Sequence, residues 1–211
     1  MIISLINGSP KAKDSCSQYL LSEIKNLLDE DNEIYEFNTR AGILPTKSLE
    51  TLRNSDALVI AFPLYFDSLP SHLLKFLEAL EIYFNNKDLS KIKVYAISNC
   101  GFYEGEQNKI SLKIIENWCH KCGMIFAGGL GIGAGPVVKE FLNIKLGSGL
   151  KKNLGIALNN FCTNILNDSV YSNVYTTINY PKRLYILQGN LSWTSQAKKN
   201  GLKKQDIYSL E

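Results

Sequence analysis

The chain has 211 residues, 45% of them hydrophobic and 20% charged. That balance supports one globular domain with an appendage and requires no disulfide or metal staple. A net charge of +3, with no dense basic run, argues against a nucleic-acid partner. The longest apolar stretch, residues 57–66, is interrupted by Pro63 and is about half of the ~20 residues a membrane span needs, so a soluble protein is expected.

Five cysteines, Cys16, Cys100, Cys119, Cys122 and Cys162, are an odd number without a framework spacing. In a chain of this length they read as reduced thiols, which implies a cytoplasmic location. The chain runs from Met1 straight into an apolar strand pattern, with no basic leader and cleavage site.

Residues 2–6 form a short apolar run ending at Asn7-Gly8, the pattern of a buried parallel strand. Leu20, Ile24, Leu27 and Leu28 then recur at helical spacing. A weaker strand is predicted at 33–37, a short helical piece around 49–52, and the clearest core strand at 57–62. Ser68 and Pro70 open a helix carrying Leu73, Leu77, Leu80 and Phe84. A fourth strand is predicted at 92–98. The helix after it shows Ile110, Ile114, Ile115, Trp118 and Cys122 on one face and stops at Gly123. A fifth strand at 124–130 runs into a Gly-rich loop ending at Gly135, and Leu154, Leu158, Phe161 and Ile165 mark a closing helix.

This alternation predicts an α/β fold with a doubly wound, five-stranded parallel sheet and helices on both faces, spanning residues 1–167. Residues 168–211 read as a C-terminal extension, not an independent domain, with a helix over 181–200 capped by Gly201.

In such a sheet, ligands bind at the carboxyl ends of the strands, where strand order reverses. The loops after strands one, three and four are therefore the candidates. The first, residues 7–17, offers helix-start amides and the hydroxyls of Ser9, Ser15 and Ser17, with Lys11 nearby, a set suited to a phosphate monoester. Helix capping is the plainer role for the same serines. No G-x-x-x-x-G-K-[ST] or G-x-G-x-x-G is present, and Cys16 has Ser22, not arginine, six residues on, so NTPase, dinucleotide and phosphatase loops are excluded. The second loop carries Pro63, Leu64, Tyr65 and Phe66, apolar groups that a flat ring would cover, or that the extension would pack on. The third carries Asn99, Cys100, Gly101, Phe102 and Tyr103. Here glycine permits close approach, Asn99 can hydrogen-bond a polar ring edge, and the aromatics form a second wall.

Taken in order, Gly8-Ser9-Pro10-Lys11 with Ser15 and Ser17, Pro63-Leu64-Tyr65 with Ser68-Leu69-Pro70, and Asn99-Cys100-Gly101-Phe102 resemble the three FMN loops of the flavodoxin-like NAD(P)H-dependent FMN reductases. The resemblance implies a flavodoxin-like fold that binds FMN through Ser9, Lys11, Ser15, Cys16, Ser17, Pro63, Leu64, Tyr65, Phe66, Asn99, Cys100, Gly101, Phe102 and Tyr103. It implies NADH or NADPH as co-substrate, a small acceptor such as a quinone or free flavin, and a homodimer or higher homo-oligomer. It demands no catalytic side chain and no metal. Two departures stand out: Lys11 occupies a position where many family loops carry arginine, and Cys16 one where threonine is frequent. The four-cysteine cluster of iron–sulfur relatives is missing from the sequence. A flavodoxin-type electron carrier is the alternative, but such carriers usually present a strongly acidic face, and this chain is mildly basic.

Cys119 and Cys122 read as structural, because a helix end disfavours the thiolate that redox chemistry needs. His72 and His120 read as solvated or capping residues. Lys198, Lys199, Lys203 and Lys204 read as a wet helix face, or as an attractor for a nicotinamide cofactor phosphate.

Overall fold

The computed structural model describes residues 1–28, 31–42, 44–141, 143–203 and 206. Lys204 lies outside them. Residues 1–178 form one compact unit and residues 179–211 a second.

The first unit is built on a parallel sheet of β1 (Ile2–Asn7), β2 (Glu33–Asn38), β3 (Ala57–Pro63), β4 (Lys93–Asn99), β5 (Ile125–Ile132) and β6 (Val174–Thr176), in the order β2-β1-β3-β4-β5-β6. The fold is flavodoxin-like α/β. Six helices connect or flank the strands: α1 (Cys16–Leu27), α2 (Thr46–Arg53), α3 (Ser71–Phe84), α4 (Lys109–Cys122), α5 (Gly135–Glu140) and α6 (Lys152–Leu166).

Central strands buried on both faces need apolar side chains at every position, not at alternate ones. β3 meets this demand along 57–62. Leu58, Ile60 and Phe62 join Leu73, Phe76, Leu77 and Leu80 of α3 and Leu112, Ile115 and Trp118 of α4 in one core cluster. On the other face, Tyr95 of β4 packs edge-on against Phe161 of α6, with ring centroids 6.0 Å apart. At roughly 1.5–3 kcal/mol per fully buried large apolar side chain, these two layers supply most of the drive to fold.

The sheet has one strand more than the pattern predicts, and it lies beyond residue 167. With three residues, β6 is too short to show a period. Of the glycine-rich run expected to lead out of the fifth strand, Gly128, Gly129 and Gly131 are inside β5, where each lets a neighbour approach closely, and Gly133 and Gly135 follow it. A Cβ on Gly128 would stand 2.7 Å from the Tyr171 ring, and one on Gly131 would stand 2.6 Å from Tyr175. The buried face of α4 also differs from expectation. Ser111, Leu112, Ile115, Trp118 and Cys119 are buried, while Ile110 is exposed. Ser111 can turn inward because its hydroxyl bonds Ser98 Oγ at 2.9 Å and the Asn108 carbonyl at 2.9 Å.

In the second unit, α7 (Lys182–Lys199) stands close to where the pattern places it, with Gly201 in the left-handed region at φ 82°. No described helix is long and apolar enough to cross a membrane.

The tightest backbone approach is at Gly133, where a Cβ would lie 2.0 Å from the Tyr103 carbonyl oxygen. Gly133→Ala is expected to cost about 1–3 kcal/mol by overpacking. A urea unfolding midpoint equal to that of the unaltered chain would contradict the expectation.

Candidate functional site

Strand order reverses between β1 and β3, so the crevice above their carboxyl ends is where this architecture places ligands. A cavity of about 230 Å³ opens there, lined by Ser9, Lys11, Ser15, Cys16, Ser17, Pro63, Leu64, Tyr65, Asn99, Cys100, Gly101 and Pro136. Eleven of these twelve residues are among those the sequence singled out; Pro136, at the start of α5, is the addition. Phe66, Phe102 and Tyr103 do not line the cavity itself.

The first loop is shaped by its own polar groups. Ser15 caps α1, its Oγ accepting from the Gln18 amide at 3.0 Å. Ser9 Oγ accepts from the Lys11 amide at 3.3 Å, and Ser17 Oγ accepts from Asn99 Nδ2 at 3.0 Å. All three serines are buried. Each hydroxyl oxygen is thus occupied as an acceptor, and among the described residues none of the three has an acceptor for its own proton. A hydroxyl carries one donor and two lone pairs, so three O–H donors remain to be satisfied. The first-turn amides of α1 add to them, as at any helix start, and the helix dipole favours negative charge there.

Asn99 has a structural part beside the one expected of it. Its Nδ2 donates to Ser17 Oγ at 3.0 Å and to the Phe62 carbonyl at 2.9 Å, so the amide nitrogen joins β4 to α1 and β3, while the carboxamide oxygen keeps its capacity to accept. Cys100 is buried, its thiol close to the Phe102 and Glu104 carbonyls and accepting from Asn108 Nδ2 at 3.3 Å. Burial pushes that thiol up. Gly101 has open space beside its α-carbon.

The second loop carries backbone strain. Tyr65 and Ser68 exchange both backbone hydrogen bonds, at 3.0 and 2.9 Å, around Phe66 and Asp67. Phe66 has φ 48° and Asp67 φ 58°, the left-handed pair of a mirror-image two-residue turn, which ordinarily takes Asn-Gly. Phe66 is fully exposed, Tyr65 is 45% exposed and Phe102 is 55% exposed.

His72 of α3 was expected to be solvated or capping, yet its Nε2 is buried with no partner among the described residues. Burial holds its pKa below the ordinary value, against the opposite pull of backbone hydrogen bonding at Gly8 and Ser9; the Arg40 charge lowers it further. The neighbourhood is tight, since a Cβ on Gly8 would lie 2.8 Å from Leu73. No spacing rule couples residue 72 to residue 8, so the sequence could not reveal this contact. At the far end of α4, burial raises the thiols of both Cys119 and Cys122, the latter to about 11. A larger hollow of about 470 Å³ opens there, between the ends of α3 and α4. It is walled by helix C-termini, which repel anions, and by the mutually neutralising Lys121–Glu81 pair at 2.6 Å. The smaller cavity is therefore the better candidate.

Neither a family model nor a curated protein matches the sequence. The flavodoxin-like architecture is shared with solved structures. The chain is similar to a protein from P. pentosaceus described as an NADPH-quinone reductase, with TM-score 0.59 and 16% identity, over 78% of this chain and 99% of that one. It is similar to an NADH:FMN oxidoreductase in its apo form, with TM-score 0.59 and 16% identity, over 80% of this chain and 89% of that one. An azoreductase from Bacillus anthracis str. Sterne aligns with TM-score 0.52 and 14% identity, over 80% and 99% of the two chains. At these identities the likeness is one of fold.

Two outcomes are expected. Replacing Phe66-Asp67 with Asn-Gly relieves left-handed strain worth roughly 1–2 kcal/mol per residue, so the double variant should unfold at higher temperature. An unchanged or lower Tm would show that the turn stores no strain. His72 is lowered in the folded state, so it contributes stability above its unfolded pKa of ~6.5 that is lost as pH falls through the folded value. Unfolding followed between pH 7 and 5 should show this loss, and His72→Gln should flatten it.

Proposed function

We propose that this chain is an FMN-dependent oxidoreductase of the cytoplasm, passing hydride from NADH or NADPH to a quinone, a flavin or another small acceptor. The observation that carries the reading is the trio of buried serine hydroxyls whose oxygens are taken and whose protons are not. A phosphate monoester supplies the acceptors that Ser9, Ser15 and Ser17 lack, at a helix start that favours its charge. Lys11 lines the same cavity and adds a cation. Cys16 stands in the first turn of α1, beside the ester.

The cavity volume of about 230 Å³ is below the ~300–1,000 Å³ that encloses a drug-sized ligand. It suits the ester and the sugar chain, with the ring lying across the mouth. There Pro63, Leu64, Tyr65 and Phe66 offer one apolar wall and Phe102 and Tyr103 another. The backbone of the Asn99–Tyr103 segment offers N–H groups to the ring's polar edge beside the Asn99 side chain, and Gly101 leaves room for it. Cys100 supports this loop from beneath.

When bound, FMN supplies the hydride chemistry, and the side chains need not act as acid or base. Their tasks are to hold the ester, to orient the ring, and to leave its outer face open to a nicotinamide and then to an acceptor. The mildly basic net charge favours an enzyme with its own substrate site over an acidic carrier. A homodimer or higher homo-oligomer that covers the exposed aromatic mouth completes the proposal.

Purified protein should turn yellow on adding FMN and should oxidise NADH or NADPH with a quinone or dye present. Turnover with none of these acceptors, despite bound FMN, would favour the carrier. Failure to take up FMN would end the reading altogether. Ser15→Ala and Ser17→Ala should each weaken FMN by roughly 5- to 10-fold, the equivalent of one hydrogen bond of ~1 kcal/mol. Gly101→Val should abolish FMN binding with little change in Tm, since its side chain meets only the open cavity.

A further inference from the structure

Lysine is almost never fully buried unless it is paired. Among the described residues, Lys151 is the one charged residue in the buried set, with 1% of its surface exposed. It stands at the N-cap of α6, where its carbonyl accepts from the Gly147 amide at 3.2 Å and its amide donates to Ser148 O at 2.9 Å. Its Nζ donates to Tyr19 Oη at 3.0 Å and lies 4.7 Å from the centre of the Tyr19 ring. Tyr19 belongs to α1. Burial and a hydrogen bond to Glu23 hold its phenol neutral by raising its pKa. The ammonium therefore meets a neutral oxygen directly and the Glu23 carboxylate only through it. That compensation is incomplete. Desolvation still holds Lys151 below its ordinary pKa, despite the opposing pull of Glu23 and Cys16.

The direction of the remaining charge matters. Glu23 is one turn beyond Tyr19 along α1, whereas Cys16 is one turn before it and lines the 230 Å³ cavity with Ser15 and Ser17. Lys151 Nζ is thus held on a residue one helical turn from Cys16, at the helix start that lines the cavity. We propose that Lys151 is the buried counter-charge of the phosphate-ester site, acting through space on the dianion and selecting the phosphorylated flavin over the unphosphorylated one. This rests on the FMN reading above. Lys151 touches no ligand; it is a positioning charge. Placed in dry protein behind the helix start, it keeps a strength that an exposed lysine at the rim loses to solvent screening.

The test compares FMN with riboflavin by flavin fluorescence titration, on the full chain and on Lys151→Met. Because the direct partner of Lys151 is the neutral Tyr19 phenol, Lys151→Met strands no directly paired buried charge, and far-UV circular dichroism checks that the variant folds. The unaltered chain should prefer FMN, and Lys151→Met should lose roughly 10-fold or more of its FMN affinity while riboflavin binding holds within about twofold. Equal loss of both ligands would reveal a merely structural lysine, and no loss of either would reveal an idle one; both overturn the proposal. An unaltered chain that prefers FMN keeps the flavin-ester reading alive even if Lys151 fails, whereas one without that preference overturns the two together.

A second measurement needs no lysine variant. The ionisable groups facing Lys151 are Tyr19, Glu23 and Cys16 of α1. Burial and hydrogen bonding hold the Tyr19 phenol neutral well above its ordinary range, and the ester is a dianion above about pH 7. FMN affinity should fall as pH rises through the deprotonation of Lys151, and riboflavin affinity should not. Repeating the titration on Cys16→Ser separates the lysine from the thiol. An FMN affinity flat from pH 7 to 10, or a fall that vanishes with the thiol, overturns the proposal.

Discussion

The carboxyl edge of the sheet is tied together by one side chain, the carboxamide of Asn99. It sits at the end of β4 and donates at once to Ser17 Oγ on α1 and to the Phe62 carbonyl at the end of β3. Three elements that the chain visits at residues 17, 62 and 99 are thereby held in register where strand order reverses. The constraint is electrostatic as much as geometric. By donating to one lone pair of Ser17 Oγ, Asn99 orients that hydroxyl and leaves its proton to be donated. Ser15 and Ser9 reach the same state by accepting from the amides of Gln18 and Lys11. A pocket of buried hydroxyls can choose between roles; one whose oxygens are already committed is preset for an anion.

An anion pocket of this kind needs little formal charge of its own. Surface cations are screened over ~8–10 Å at ordinary ionic strength, while amides and hydroxyls at a buried helix start lose little to screening. The chain accordingly carries one lysine on the cavity wall, at residue 11, and buries another at residue 151. A cluster of several arginines would hold an ester more strongly. It would also attract every other phosphate in solution, at a cost in specificity.

Much of this was legible in the sequence, for definite reasons. Continuous apolar runs such as 57–62 can serve only strands covered on both faces, and the order of strands and helices left few topologies open. The same order placed the three loops at one edge, which is why eleven of the cavity residues could be named. What was missed depends on pairs distant in sequence. The glycines of β5 read as a loop because the reason for them, the rings of Tyr171 and Tyr175, lies more than 40 residues downstream. The bond from Asn99 to Ser17 was not foreseen because the two are 82 residues apart. His72 was read as solvated or capping, and Lys151 was not singled out, for the same reason. Burial of a polar side chain leaves no periodic trace, and the partners that make it tolerable are recorded only in three dimensions.

The turn at Phe66-Asp67 sets a fold preference against a functional one. Two consecutive non-glycine residues at positive φ cost free energy that an Asn-Gly pair would avoid, and a fully exposed phenylalanine returns none of it through burial. The hydrogen bonds between Tyr65 and Ser68 are made by the backbone and would survive the cheaper sequence. So no burial among the described residues repays Phe66, and under the proposed function a molecule that covers it would do so. Tyr65 lines the cavity one residue away, and so does Gly101, which has open space beside its α-carbon. A flat ring seated across the mouth would bear on the same apolar edge as this turn and make a contact surface of an exposed aromatic. Under the proposed function, strain at the rim, preset donors at the floor and a cavity too small to enclose the whole ligand become parts of one arrangement, which would grip the ester and leave the reactive face within reach of a second molecule.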